Sequence, residues 1–267
     1  IKSFLGKQLA KLIVLQTQQW SRNPVKTQKK VFNYLIREAK DTAFGRDHDF
    51  SSIKSHEDFK TKVPIRDYEG LKNYIERIKK GESNVLWKGL PQFFAKTSGT
   101  TSGAKYIPLT KVSLVCQIKA ARNALLHYVA TSGNHQFIDG KMIFLQGSPQ
   151  LKKASKVPSG RLSGIVANYV PPYLQSNRLP SYKTNCIEDW EQKVDAIIDE
   201  TLSEDMRLIS GIPSWVQMYF ERLQKRTGKN IAELFPNFSL FVFGGANFAP
   251  YRRKFEKLIK KKVDSLE

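Results

Sequence analysis

The sequence predicts an α/β protein: a mostly parallel sheet flanked by helices and preceded by a helical N-terminal region. Three observations carry this. Up to residue 90 the apolar residues keep three- and four-residue spacing, the signature of amphipathic helices. Beyond it, short apolar runs of strand length alternate with helical stretches, and that alternation makes βαβ units. The 267 residues include 16 Phe, 10 Tyr and 4 Trp, and 40% of the chain is apolar. That is enough to build a core and excludes global disorder. We read 1–90 as the helical region and 91–267 as the α/β region.

The elements follow in order. Phe4, Leu5, Leu9, Leu12, Ile13 and Gln16 mark a first helix, which Asn23-Pro24 breaks. Val31, Phe32, Leu35, Ile36 and Ala39 mark a second. Ser55-His-Glu-Asp58 has the form of a capping box, in which side chain and backbone satisfy each other at a helix start. Leu71, Tyr74, Ile75 and Ile78 give a third amphipathic helix, closed by Lys79, Lys80 and Gly81. Gln92–Ala95 and Tyr106–Leu109 read as strands, and Thr110 as the cap of a long helix through Val129. Lys141–Gln146 reads as a buried strand and 147–185, rich in Pro, Ser, Gly and Asn, as irregular. Trp190–Leu202 is a helix, Met206–Ser210 a strand, and Ile212-Pro-Ser leads into a helix ending before Gly228. Leu240–Phe243 is a strand running into Gly244-Gly245, a helix begins at Pro250, and Val263–Leu266 is a last strand.

Forty-four Lys and Arg against twenty-four Asp and Glu give a net charge of +20. Such an excess raises the question of a polyanionic partner: nucleic acid, an anionic surface or a phosphorylated small molecule. The lysines are spread over several helices with no recognition motif or aromatic-basic ribbon, so no specific nucleic acid is expected. No apolar run nears the roughly 20 residues of a membrane span, and no membrane partner is expected. Cys116 and Cys186 lie seventy residues apart, which is no disulfide framework and fits a reducing cytoplasm. His48, His56, His127 and His135 show no metal-ligand spacing. The Lys257, Lys260, Lys261 and Lys262 cluster reads as a solvated helix end.

The most informative segment is Phe94-Ala-Lys-Thr-Ser-Gly-Thr-Thr-Ser-Gly-Ala-Lys105. Thr97, Ser98, Gly99, Thr100, Thr101, Ser102 and Gly103 are all hydroxylic or glycine, between two strands, with Lys105 just beyond. Glycine lets the backbone approach a ligand and aim successive N–H groups at it. The hydroxyls add short donors and Lys105 a compact charge, so the segment suits a polyphosphate. Three residues, not four, separate Gly99 from Gly103, and Tyr106 follows Lys105, so this is not a Walker A loop. Gly-x-Gly is absent, so it is no dinucleotide fingerprint. On spacing alone, a flexible Ser/Gly turn is the competing reading.

Thr97–Lys105 resembles the phosphate-binding loop of the adenylate-forming superfamily. Phe44-Gly45, Val63-Pro-Ile65, Tyr68-Glu69, Tyr74-Ile-Glu-Arg-Ile-Lys-Lys-Gly-Glu82 and Phe241-Val-Phe-Gly-Gly-Ala-Asn247 are similar to the Gretchen Hagen three family. That family comprises the auxin-responsive acyl-acid amido synthetases and their bacterial relatives, and the chain is identified with the bacterial side. The resemblance implies part of an adenylate-forming large domain, with ATP and Mg2+ as cofactors. It implies a ligase in which a carboxylic acid attacks the α-phosphate of ATP, and an amino acid's amine then takes the acyl group. It puts the phosphates on Thr97 to Gly103, gives Lys105 and Thr101 catalytic roles, and makes Thr101 or a neighbouring hydroxyl a magnesium ligand. It lays the adenine against Gly244, Gly245, Ala246 and Asn247. Arg122, Tyr169 and Trp215 become substrate-side candidates, although Trp215, Met218 and Tyr219 also fit plain core packing.

The family's later elements are absent from the sequence: a Tyr-x-Ser-Glu motif with a magnesium-binding Glu, a ribose-binding Asp and a C-terminal lid. With Ile1 at one end and Glu267 at the other, the expectation is an N-terminal fragment, weak or inactive alone. An acyl-CoA ligase, which shares the first half-reaction, stays open as an alternative. So do a basic nucleic-acid or anionic-surface binding module and a catalytically dead scaffold. The acid, the amino acid and the oligomeric state are left unspecified.

Overall fold

The computed structural model describes residues 2–97, 103–153, 155–169 and 175–267. Its helices are α1 (Lys2–Ser21), α2 (Pro24–Ala39), α3 (Ala43–Asp47), α4 (His56–Lys62) and α5 (Tyr68–Lys79). The strands β1 (Phe93–Lys96) and β2 (Tyr106–Leu109) follow, then α6 (Lys111–Ser132), β3 (Lys141–Leu145), β4 (Ser159–Gly160), α7 (Leu162–Ala167) and β5 (Arg178–Leu179). Next come α8 (Tyr182–Asn185), α9 (Trp190–Thr201), β6 (Met206–Gly211), α10 (Pro213–Thr227) and α11 (Ile231–Leu234). The described chain ends with β7 (Leu240–Val242), α12 (Arg252–Ile259) and β8 (Asp264–Leu266).

These elements form two compact units. The hairpin unit comprises Leu15–Ala120 and Gln150–Val166; the sheet unit comprises Ile1–Val14, Ala121–Pro149 and Ala167–Glu267. The division falls inside α1 and α6 rather than at the change of period near residue 90.

In the hairpin unit, each helix start is satisfied locally. The Thr42 hydroxyl accepts from the Gly45 N–H at 3.0 Å to start α3. Ser55 and Asp58 close the capping box of α4, as the sequence predicts, and the Asp67 carboxylate caps α5 through the Gly70 N–H at 2.9 Å. β1 pairs antiparallel with β2, from Phe93↔Leu109 to Lys96↔Tyr106. β4 adds parallel to β1. Phe94, Ile75, Ile78, Val85, Ala43 and Val157 pack as one buried cluster under this sheet.

The sheet unit carries five parallel strands in the order β5-β3-β6-β7-β8. Successive residues of a strand point to opposite faces, and both faces are covered. Ile143, Leu145, Ile209 and Phe241 pack with Val194, Ile197, Val216, Phe220 and Phe255 of α9, α10 and α12. Met142, Leu208 and Leu240 pack with Ala10, Ile13, Leu126 and Val129 of α1 and α6. This double covering explains the near-continuous apolar runs in the sequence. The mostly parallel sheet flanked by helices is therefore present.

The reading of 147–185 as irregular is corrected. That stretch holds β4, α7, β5 and α8. Strands of two residues and helices of four to six are too short to show a period. The same reason hides α3 and α11.

Candidate functional site

The hairpin brings the ends of the hydroxyl-and-glycine segment together. The Thr97 N–H donates to the Lys105 carbonyl at 3.0 Å, extending the β1–β2 ladder by one bond. Ser98, Gly99, Thr100, Thr101 and Ser102 lie outside the described residues. Gly103 has φ +81°, and nothing lies within 4 Å of the place a Cβ would take. The left-handed backbone, not crowding, therefore requires glycine there. Lys105 is half-buried. Its Nζ sits 5.7 Å from the centroid of the Tyr68 ring. Among the described residues no carboxylate pairs with it, so its charge is available to an anionic ligand.

Tyr68, at the start of α5, fastens this arm. Its hydroxyl accepts the Tyr106 N–H at 2.9 Å while its ring lies under Lys105. On the next residue the Lys79 ammonium sits 4.2 Å from the Tyr106 ring centroid and is paired with Glu76 at 2.7 Å. The sequence shows Tyr68 only as part of a resemblance. Its side chain reaches across 38 residues to the hairpin, and no local pattern announces such a contact.

In the sheet unit, Gly244, Gly245, Ala246 and Asn247 form a turn beyond the C-terminal end of β7, the edge where ligands of parallel sheets bind. The turn is anchored on both sides. The Phe243 N–H donates to the Leu266 carbonyl at 2.9 Å. The Asn247 Oδ1 accepts the Ala249 N–H at 2.9 Å, starting the next helical turn. The flanking rings of Phe243 and Phe248 meet at 5.1 Å, and Phe248 packs on Phe241 and Phe255. Gly245 has φ +79°, and a Cβ there would sit 3.8 Å from Ile212. The turns after β6 and β7 are therefore neighbours.

The weaker candidates fall elsewhere. Arg122 is exposed on α6, its guanidinium bonded to Asn123 Oδ1 at 3.0 and 3.2 Å. Trp215 stacks on Trp190 at 4.2 Å and packs on the core, while the Trp190 indole N–H is directed to Met218 Sδ at 3.0 Å. Tyr219 is fully buried and shares a 2.8 Å hydrogen bond with Thr201; burial pushes its phenol up. These contacts are core packing. Tyr169 is exposed. Among the described residues no three His, Cys, Asp or Glu gather as a metal cage. At the described ends of the segment, Thr97 carries a hydroxyl and Lys105 an ammonium, donor types that a phosphate accepts. Magnesium commonly meets such a site through substrate phosphates and water.

The fold is that of solved acyl acid amido synthetases. The chain superposes on the AtGH3.15 acyl acid amido synthetase bound to 2,4-DB with TM-score 0.78 at 15% identity, covering 96% of this chain and 54% of that one. A 2-hydroxyisobutyryl-CoA ligase in complex with 2-HIB-AMP and CoA is similar at TM-score 0.53 and 15% identity, over 90% of this chain and 52% of that one. The profile of the GH3 family N-terminal domain matches residues 15–178 and 160–263, and the chain belongs to the GH3 family. Indole-3-acetic acid-amido synthetase GH3.2 of Arabidopsis thaliana is 30% identical over 89 residues, 33% of this chain and 16% of that protein. GH3.5 of the same plant, also an indole-3-acetic acid-amido synthetase, is 26% identical over 149 residues, 54% of this chain and 23% of that protein. The chain spans about half the length of the solved relatives.

Proposed function

We propose that the protein is an ATP-dependent acid–amino acid ligase: it activates a carboxylic acid as an acyl-adenylate and transfers the acyl group to an amino acid's amine. The observation that carries the reading is the hydroxyl-and-glycine segment connecting β1 to β2, followed by Lys105, which meets no carboxylate among the described residues, in a chain of the GH3 family.

The chemistry asks for little covalent help from the protein. A carboxylate oxygen attacks the α-phosphorus, the bond to the pyrophosphate oxygen breaks, and an acyl-adenylate remains. An amine then attacks the acyl carbon and AMP departs. The first step needs negative charge held and offset in a fixed geometry, which is preorganised electrostatic stabilisation. In this reading backbone N–H groups and hydroxyls from Thr97 to Gly103 cradle the phosphates, and Lys105 offsets their charge. The Gly244 to Asn247 turn receives the adenine. Magnesium, with Thr101 among its ligands, supplies further charge neutralisation on the phosphates when bound.

The family match and the amido synthetases among the relatives favour an amino acid over CoA as acceptor. The +20 charge is then surplus to a phosphate-handling enzyme rather than a nucleic-acid footprint. The free Cys116 and Cys186 support a reducing, cytoplasmic setting, and among the described residues no helix is long and apolar enough to cross a membrane.

The test is acid-dependent exchange of labelled pyrophosphate into ATP over a panel of carboxylic acids, followed by trapping of the adenylate with amino acids or with CoA. Exchange that falls about 100-fold in Lys105→Ala and Ser98→Ala, with amide as the trapped product, supports the reading. Thioester as the only product moves it to a CoA ligase. Tight RNA or DNA binding with a steep salt slope and no exchange replaces it with a binding module.

A further inference from the structure

The sheet unit holds a second concavity of about 300 Å³, lined in part by Pro149, Asn168, Arg178, Tyr182 and Asn185. It lies beside the C-terminal ends of β3 and β5. Gly244 to Asn247 end β7 on the same edge, and β6 separates β3 from β7 in the strand order. At about 4.8 Å per strand, the two positions are roughly 10 Å apart.

Arg178 is a half-buried cation without an anion. Its guanidinium donates to the Ala167 carbonyl at 2.6 Å and lies 5.5 Å from the Phe144 ring centroid. Among the described residues no carboxylate meets it, and the remaining positions, 1, 98–102, 154 and 170–174, contain no Asp or Glu. Burial weakens its hold on the proton relative to a solvated arginine. Removing a charge from water without a counter-charge is costly, so the site is set to gain from an anionic ligand.

Asn185 supplies the opposite need. It is 2% exposed, its Nδ2 donates to the Pro180 carbonyl at 3.2 Å, and its Oδ1 has no hydrogen-bond partner among the described residues. Gln146, directly after β3, has a buried Nε2 likewise without a partner among the described residues. One buried ammonium ties the two residues together, since Lys193 Nζ donates to the Gln146 carbonyl at 3.0 Å and to the Asn185 carbonyl at 2.6 Å. Buried polar groups left unmade cost free energy. A simple anion would leave the Asn185 oxygen unanswered, and a simple amine would leave Arg178 unanswered.

We propose that this cavity binds a free α-amino acid as its zwitterion, the carboxylate on Arg178 and the ammonium on Asn185 Oδ1, and that it is the acceptor site of the ligase. The proposal rests on the functional reading above and names the site for its second substrate. The size suits it, since 300 Å³ lies at the small end of ligand cavities.

Calorimetric titration of the 267-residue chain without ATP tests it, using L-alanine, L-glutamate and L-phenylalanine with their α-amides and N-acetyl derivatives. At least one free amino acid binds, and its amide and its N-acetyl form each bind about 10-fold or more weakly. Arg178→Gln weakens binding about 10- to 100-fold. Arg178→Lys, which keeps charge but not the two-pronged geometry, loses less and guards against a misfolded Gln variant. Silence from all three amino acids overturns the proposal, as does equal binding of an amide or N-acetyl form. So does occupation by AMP or inorganic phosphate that Arg178→Gln abolishes. Pyrophosphate exchange needs no amino acid: exchange with a silent titration overturns this site and spares the ligase reading, whereas binding without exchange overturns the ligase reading and the acceptor role with it, and keeps only the amino-acid cavity.

Discussion

The two nucleotide-side candidates are built by different means. The Thr97–Lys105 arm belongs to an antiparallel pair and is fastened by single contacts: one ladder bond from Thr97 to Lys105 and one hydroxyl from Tyr68. The Gly244–Asn247 turn rises from a parallel sheet covered on both faces, with Phe243 and Phe248 closing its base. Only the left-handed glycine is shared, Gly103 in one and Gly245 in the other. A turn rooted in a sheet inherits the rigidity of the core beneath it.

The strongest way to break the comparison is through the aromatic base. Phe248→Ala empties a site that is 7% exposed among three other phenylalanines, and urea unfolding should show a loss of about 3–5 kcal/mol. A loss below about 1 kcal/mol would mean that the turn does not depend on that packing. The glycines give a matched pair. Gly103→Ala and Gly245→Ala meet open space or ordinary contact at the new methyl, so each should cost about 1–2 kcal/mol from backbone strain alone. Unequal losses in thermal unfolding would expose a contact beyond the backbone.

Tyr68→Phe removes the hydroxyl that accepts the Tyr106 N–H and leaves the ring beneath Lys105. We expect a loss of about 1 kcal/mol and a raised KM for ATP in pyrophosphate exchange. An unchanged KM would reduce Tyr68 to a structural tether. The smallest effect is confined to acid. Burial raises the Glu200 carboxyl, but the hydroxyls of Ser181 and Thr184 and the Ser181 N–H outweigh it and hold it below its ordinary 4.5. A depressed carboxyl stabilises the fold above its unfolded value, and that contribution is lost as pH falls through the folded value. Thermal midpoints should therefore drop below about pH 4.5, and Glu200→Gln should remove that part of the drop. An identical acid profile in the variant would show that the carboxylate does not stabilise α8.

Much of the architecture was legible beforehand, for a local reason. The capping box at Ser55, the stop before Gly228 and the strands Lys141–Leu145 and Met206–Gly211 are written in neighbouring residues. The hydroxyl-and-glycine segment stands out in the sequence by composition alone. Other features had no local signature. Arg122 is tied to its own neighbour Asn123 and Trp215 stacks on Trp190, so residue type misleads where packing decides. Tyr68 reaches its partner across 38 residues, and Lys193 joins Gln146 and Asn185 across 47 and 8.

The sequence by itself determined the long helices, the longer strands and the mostly parallel sheet, and it singled out one hydroxyl-and-glycine loop as a candidate phosphate cradle. Periodicity, caps and composition act over a few residues and can be read from them. Only the tertiary structure decided that the compact units divide within α1 and α6, that Tyr68 clamps the hairpin, and that Arg178 is half-buried with no carboxylate against it among the described residues. Those facts depend on which distant side chains meet and which fail to, and burial is what gives each meeting or absence its energy.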